Sequence, residues 1–309
     1  MRRIGPVEPE QTDEALRFLA GGRTRGPVVR ARAESYGELL RRERGGAALL
    51  WQAGGRTGRQ AVALVVRSPG KTGMLYHSPA GAPGVEAEAL AALIAAVSAQ
   101  ALAEGLSLVQ SLLAAPEDAD VPVLLAAGYR RLAELIYLRR DLRQPPDPPA
   151  LPALRWRTYS EFDEGELAEV IAATYRDSLD CPALSGLRDL ADVIAGHKAA
   201  GVFCPETWWI VDRCDAPAGC LLVNESVLEA AADIVYMGAV PSQRRAGLGR
   251  AMLRWAACEA FRRRHGAILL TVDAANEPAR GLYASEGFRP THRRLAYALL
   301  RPPRDAQKP

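Results

Sequence analysis

The chain has 309 residues, 49% of them apolar and 24% charged, with 39 basic against 36 acidic side chains and a formal net charge of +3. That length accommodates two domains with a core each, and so even a balance excludes bulk charge as a route to nucleic acid. No run reaches the roughly 18–20 apolar residues of a membrane span, and no apolar core of a secretory signal follows the N-terminal arginines. A cytoplasmic protein without membrane contact is the expectation. The five cysteines are odd in number and none stands in C-x-x-C spacing, so neither a zinc site nor a disulfide framework is suggested and no metal is expected.

In the first half, residues 61–67 and 71–78 read as strands and 85–103 as a long alanine-rich helix. A strand at 106–112, a short helix at 121–127 and a strand at 132–138 follow. The proline-dense segment 144–152 blocks helix and central strand and favours an extended spacer. It divides the chain into a first domain at 1–143, a linker at 144–153, a second domain at 154–301 and a frayed tail at 302–309. The second domain opens with a strand at 154–158 and helices at 161–175 and 187–198. Strands at 208–212 and 218–224, joined by a turn at 214–219, lead to a strand at 233–240 and a glycine-bearing loop. A helix at 250–264, a buried strand at 267–272, a short helix at 278–286 and a strand at 293–300 complete it. Strands and helices in this order imply α/β (α+β) domains, each a mixed central sheet flanked by helices. Gly105-Leu-Ser-Leu matches Gly266-Ala-Ile-Leu after a long helix, and Ala127-Gly-Tyr-Arg130 matches Glu286-Gly-Phe-Arg289 after a short one, so the chain reads as one domain repeated.

The strongest chemical signal is Val240-Pro-Ser-Gln-Arg-Arg-Ala-Gly-Leu-Gly-Arg250, set between a strand and a helix. Gly247 and Gly249 let backbone approach a ligand where a Cβ would intrude. Unpaired N–H groups of the first helical turn, with the helix dipole behind them, favour an anion such as phosphate. Arg244, Arg245 and Arg250 add guanidinium forks suited to phosphate oxygens. Alone, the same pattern also describes a flexible turn with solvated arginines. A second signal is Asn276-Glu-Pro-Ala-Arg-Gly-Leu-Tyr-Ala-Ser-Glu-Gly-Phe288. Asn276 follows the end of a strand, where ligands tend to bind in α/β sheets. Pro278 fits a first helical turn, and Gly287 fits a left-handed position just past the helix. Tyr283, in mid-helix, faces either core or cleft.

Together the two segments resemble the GNAT superfamily of acyl-CoA-dependent N-acyltransferases. Arg244-Arg-Ala-Gly-Leu-Gly249 looks like the phosphate loop of that family, and Asn276, Ala279, Leu282-Tyr283 and Gly287-Phe288 look like its second signature. The resemblance covers residues 208–300 well and 154–205 loosely. It implies acetyl-CoA as acyl donor, held by Val240, Arg244, Arg245, Ala246, Gly247, Leu248, Gly249 and Arg250 with Asn276 at the thioester end. A splayed strand at 236–240 is implied to pair with the pantetheine arm, and a backbone N–H near Val240 to polarise the thioester carbonyl. An amine then attacks the thioester directly and Tyr283, protonated at neutral pH, donates to the departing thiolate. For the general base, Glu225 is the first candidate and Asp273 the second. His265 and His292 read as helix-end and loop histidines, and His197 stays open. The segment 175–182, with His197 and residues 203–209, falls where these enzymes build the acceptor site, and Asp177 and Asp180 there suit a cationic amine or plain solvation.

The first copy departs from the pattern. Its counterpart of the phosphate loop, residues 79–85, has glycines without a nearby arginine, and Leu124 and Glu117 stand where Tyr283 and Asn276 do. It is therefore expected to be non-catalytic, a brace that walls the acceptor cleft, in a tandem layout similar to that of the mycothiol synthase family. The function expected is N-acetyl transfer from acetyl-CoA to a primary amine of a small molecule or protein, without nucleic acid or membrane, with a homodimer left open. The alternative is a non-catalytic acyl-CoA-sensing protein; nucleic-acid binding through the arginines of 250–264 is weaker, since no stacking aromatics accompany them.

Overall fold

The computed structural model describes residues 3–42, 48–55, 58–114, 118–181, 188–227 and 229–301. Glu117, Pro182, Leu187 and the tail 302–309 lie outside them. Two series of ten elements follow one another in the same order. The first is β1 (Arg3–Pro6), α1 (Thr12–Gly21), α2 (Pro27–Arg42), β2 (Ala48–Gly55), β3 (Gly58–Ser68), β4 (Thr72–His77), α3 (Ala87–Ala103), β5 (Leu108–Leu113), α4 (Asp120–Ala126) and β6 (Arg130–Asp141). The second is β7 (Leu154–Thr158), α5 (Glu164–Tyr175), α6 (Leu190–Ala199), β8 (Trp208–Arg213), β9 (Ala216–Glu225), β10 (Ala231–Ala239), α7 (Leu248–Arg262), β11 (Ala267–Asp273), α8 (Glu277–Ser285) and β12 (Arg289–Leu300). The repeat suggested by two short sequence matches thus extends over the whole of each half, including the elements before residue 61 that carry no strong periodic signal.

The compact units in space do not coincide with the chain segments on either side of the proline spacer. Of the described residues, one unit holds those from 3 to 132 and from 295 to 301, the other those from 133 to 294. In the first, β1 to β4 run antiparallel in order, β4 pairs parallel with β5, and β5 pairs antiparallel with the end of β12. In the second, β7 to β10 are antiparallel, β10 pairs parallel with β11, and β11 pairs antiparallel with β6. Each half of the chain therefore gives its last strand to the other unit. The apolar faces of these strands are buried there: Ile136 and Leu138 belong to the core of the second unit, Leu295 and Tyr297 to that of the first.

In the second unit, β9 is buried from Ala218 to Asn224 because both of its faces are covered. Leu221 and Val223 pack with Leu248, Met252 and Ala256 of α7, while Cys220 and Leu222 pack with Leu167 and Ile171 of α5. Each such side chain removed from water contributes roughly 1.5–3 kcal/mol. The entry to α5 is built locally. Asp163 accepts the N–H of Glu166 at 2.8 Å, and Thr158 with Glu161 forms a capping box just before it. The turn between β8 and β9 is tighter than the six residues expected: Cys214 and Asp215, at φ 51° and 60°, make it alone, and Ala216 already stands in the strand. No helix among the described residues is long and apolar enough to cross a membrane.

Candidate active site

Between β10 and α7 the chain makes the loop that its glycines anticipate. Arg245 and Gly247 are left-handed, at φ 58° and 87°, and α7 starts at Leu248, with Gly247 as its N-cap. No backbone N–H from Arg245 to Arg250 finds a well-aligned acceptor among the described residues. Donors at a helix start need a partner, and an anion is the natural one.

The arginines divide. Arg245 is exposed and its guanidinium bonds to no described residue. Arg244 is committed elsewhere: it donates to Asp177 O and Thr174 O, each at 2.9 Å, to Arg176 O, and to Ala239 O at 3.2 Å. Its expected place on a pyrophosphate is corrected to a strut between the loop and the carbonyl end of α5, where cationic charge suits the helix dipole. Arg250 pairs with the buried Glu286 at 2.8 Å and donates to Ser285 Oγ at 3.1 Å. Arg254 holds the same carboxylate at 3.0 Å, so Arg250 fastens α7 to the end of α8. Gly249 serves the same packing, since a Cβ there would meet Leu282 Cδ2 at 3.0 Å.

Above the loop β10 parts from β11. Their ladder runs only from Ala231–Ala267 to Ile234–Leu270, whereas β10 stays paired with β9 as far as Ala239–Gly219, with a bulge between Ile234 and Tyr236. The splay expected at 236–240 is therefore present. Val240 N–H, however, donates to Ala218 O at 2.9 Å. A donor to a thioester near Val240 would therefore come from a neighbouring residue and not from Val240 itself. By strand alternation the N–H groups of Met237 and Ala239 face the side that β11 has left. Gly238 keeps this stretch close to α5: a Cβ there would fall 2.7 Å from Thr174 Oγ1. Thr174 Oγ1 donates to Ile171 O at 2.7 Å and so accepts from Tyr236 Oη, also at 2.7 Å.

Tyr283 is 9% exposed and its ring packs on Phe288. Burial, and then the charge of Asp180, raise its pKa well above the usual phenol value, so it stays protonated and able to donate. Asn276 caps α8 through Oδ1, which accepts Ala279 N–H at 3.3 Å, and Gly287 is left-handed just past the helix, as expected. Asp273 closes β11, 5% exposed, its Oδ1 on Ala275 N–H. Asp273 N–H donates to Asp180 Oδ1 at 3.3 Å, so Asp180 lies over the edge of β11 at the splay. His197 stacks obliquely on Tyr236 with centroids 5.2 Å apart and is held neutral to about 4 by burial and the nearby Arg188.

Glu225 is not brought to this place. It pairs with Ala232 at the start of β10, seven residues along the register from Ala239, and its side chain faces His265 at 3.9 Å beside α7. The alternation of a strand sends Asn224 to the α6 side, where it bonds to His197 O and Ala200 O, and Glu225 to the opposite face. The carboxylates that do lie at the splay are those of Asp180 and Asp273. Sequence reasoning passed over Tyr236 and Thr174, since an aromatic in a strand and a threonine in a helix carry no signal distinct from core.

The first unit repeats the splay without the anion site. Its β4–β5 ladder ends at Met74–Gln110. In the following loop Ala80 N–H donates to Asp120 Oδ1, Ala82 N–H to Pro79 O, Val85 N–H to Ala82 O and Glu86 N–H to Gln60 O. An arginine does lie nearby, contrary to the sequence expectation. Arg23 donates its N–H to Pro83 O at 2.7 Å, and its Cδ is 2.6 Å from where a Cβ of Gly84 would stand. Leu124, the counterpart of Tyr283, is 0% exposed in the core, and Glu117 is outside the described residues.

Residues 205–290, in the second half of the chain, match the acetyltransferase (GNAT) domain. Among solved structures the chain is similar to a GCN5-related N-acetyltransferase from Sphaerobacter thermophilus, 20% identical, with a TM-score of 0.63 over 97% of this chain and 96% of that one. A GCN5-related glucosamine N-acetyltransferase region of a fungal multi-domain GH3 β-N-acetylglucosaminidase is 13% identical, with a TM-score of 0.55 over 96% of this chain and 38% of that one. These two likenesses concern the fold. A tandem GNAT protein from the clavulanic acid biosynthesis pathway is 17% identical, with a TM-score of 0.49 over 98% of this chain and 99% of that one. No curated protein matches by sequence.

Proposed function

We propose that the chain transfers an acetyl group from acetyl-CoA to a primary amine of a small molecule or protein, in the cytoplasm, with one working site in its second unit. The observation that carries this reading is the combination of N–H groups at Arg245–Arg250 without a well-aligned acceptor among the described residues, the vacated edge of β10 and the buried ring of Tyr283. The loop donors and Arg245 hold the pyrophosphate. Met237 and Ala239 pair with the pantetheine arm, and an N–H of that edge polarises the thioester carbonyl. The amine attacks the carbonyl carbon, a C–N bond forms, the C–S bond breaks, and Tyr283 gives its proton to the thiolate. Arg244 and Arg250 act by holding the loop and helices in place, while the first unit, whose loop N–H groups of Ala80, Ala82, Val85 and Glu86 bond within the chain, takes no coenzyme.

Calorimetric titration with acetyl-CoA tests the reading. One site per chain is expected, with a dissociation constant at least about tenfold higher in Arg245→Glu. Tyr283→Phe is expected to bind acetyl-CoA as before and to release thiol at least about 100-fold more slowly. Two sites would restore coenzyme to the first unit; no binding would end the transferase reading. Binding without thiol release to any amine would favour the acyl-CoA-sensing alternative.

A further inference from the structure

Asp180 reaches the splay from the loop that follows α5, whereas the other groups there come from β10, β11 and α8. It is open to solvent, yet its Oδ1 is anchored on the N–H of Asp273, at the end of the strand edge that β10 has left. Asp273, itself 5% exposed, brings a second carboxylate to the same point. Two carboxylates placed together repel, and nothing in an acyl-CoA compensates them, because the donor is itself an anion.

An independent observation comes from Tyr283. Its side chain is nine-tenths buried, its hydroxyl has no hydrogen-bond partner among the described residues, and it lies within the field of Asp180. The ring is buried while the oxygen is not among the sealed polar atoms, so a hydroxyl without a protein partner stands open to a ligand. The walls around the acids are aromatic: Tyr175 and Tyr236 meet edge to face with centroids 5.7 Å apart, and both feel the Asp180 charge. Carboxylates with tyrosine rings nearby are the chemistry that receives an ammonium group.

We propose that Asp180, positioned by Asp273, is the acceptor-recognising group and general base of the second unit, and that the acceptor is a primary amine that enters as its ammonium ion. The proposal rests on the acetyl-transfer reading above. The Asp180 carboxylate takes one proton from the ammonium, and the freed lone pair forms the C–N bond as the C–S bond breaks. The thiolate takes the Tyr283 proton, the proton lost from nitrogen as the amide forms returns to Tyr283, and Asp180 releases its own to solvent. The site suits that role. Although one side of the residue stays exposed, packing against the end of β11 strips enough water from the carboxylate to raise it above the usual range, with the Asp273 N–H opposing the shift and the Asp273 charge adding to it. Cys181, Tyr175, Tyr236 and Tyr283 are the other titratable groups around it, and all four are themselves raised and neutral at pH 7.

The test uses the full chain saturated with acetyl-CoA, with 1,3-diaminopropane, 1,4-diaminobutane and n-butylamine as probes and thiol release as readout. At least one probe is expected to turn over, and Asp180→Asn to lower its kcat/KM at least about 100-fold. The acetyl-CoA dissociation constant of that variant is expected within about twofold of the unaltered chain, and the acidic limb of kcat/KM against pH is expected to vanish. Asp215→Asn, an exposed acid in the turn between β8 and β9, is the control expected to leave turnover unchanged. Turnover of Asp180→Asn within about threefold of the unaltered chain would overturn the proposal. So would loss of its acetyl-CoA binding, which would make Asp180 a structural group, or the absence of turnover with every probe. Failure of the unaltered chain to bind acetyl-CoA would instead sink the acetyl-transfer reading itself.

Discussion

A single side chain in this protein is decided less by its type than by the face on which it falls. Glu225 and Asn224 are neighbours in β9, yet one looks toward α7 and the other toward α6, and only the register reveals which. His197 shows the same dependence. Its Nε2 is buried without a partner, and burial together with the charge of Arg188 moves its pKa from 6.5 to about 4. The folded state therefore holds this histidine neutral, while the unfolded chain protonates it below 6.5. The corresponding stability is fully present above pH 6.5 and is lost as pH falls toward 4. Between pH 7 and pH 5 the loss is about 2 kcal/mol. Urea denaturation of the unaltered chain and of His197→Gln at the two values checks this: the variant is expected to lack that part of the acid loss, and equal losses would refute it.

At the scale of elements, the loop after β10 is coupled to α5 by one side chain. Arg244 reaches four backbone carbonyls, three of them at the end of that helix. Those carbonyls have no partners within the helix, and hydrogen bonds to a charged group each contribute about 1.5–3 kcal/mol. Arg244→Ala is expected to cost about 2–4 kcal/mol of stability, measured by urea denaturation. Arg244→Lys is expected to recover less than half of it, because an ammonium cannot reproduce the planar fork. If the alanine variant were as stable as the unaltered chain and only coenzyme affinity fell, Arg244 would be a phosphate ligand after all.

For the molecule as a whole, the exchange of last strands sets what can fold alone. A chain cut at the proline spacer to keep residues 144–309 would lose β6, exposing the edge of β11 and the apolar residues that pack with Ile136 and Leu138. It would also carry the end of β12 without β5. Open, apolar edges associate. This fragment is expected to aggregate, whereas a chain with both halves is expected to run as a folded species in size-exclusion chromatography. A monomeric fragment with native-like circular dichroism would show that β6 is dispensable.

Much of this was legible in the residues themselves. Glycines 247 and 249, with arginines around them between a strand and a helix, demand a left-handed turn and an unpaired helix start. Asn276, Pro278 and Gly287 mark the two ends of α8 in the same way. These are local requirements, met within a few residues of the motif, so composition and spacing determine them. What the arginines touch, which carboxylate stands at the splay, and which unit receives each last strand were decided only in the tertiary structure. Arg244 lies 67 residues from Asp177 and Asp273 lies 93 from Asp180. Pairing over such distances depends on strand register and on how two faces pack, and a change of one residue in register sends every side chain to the other face.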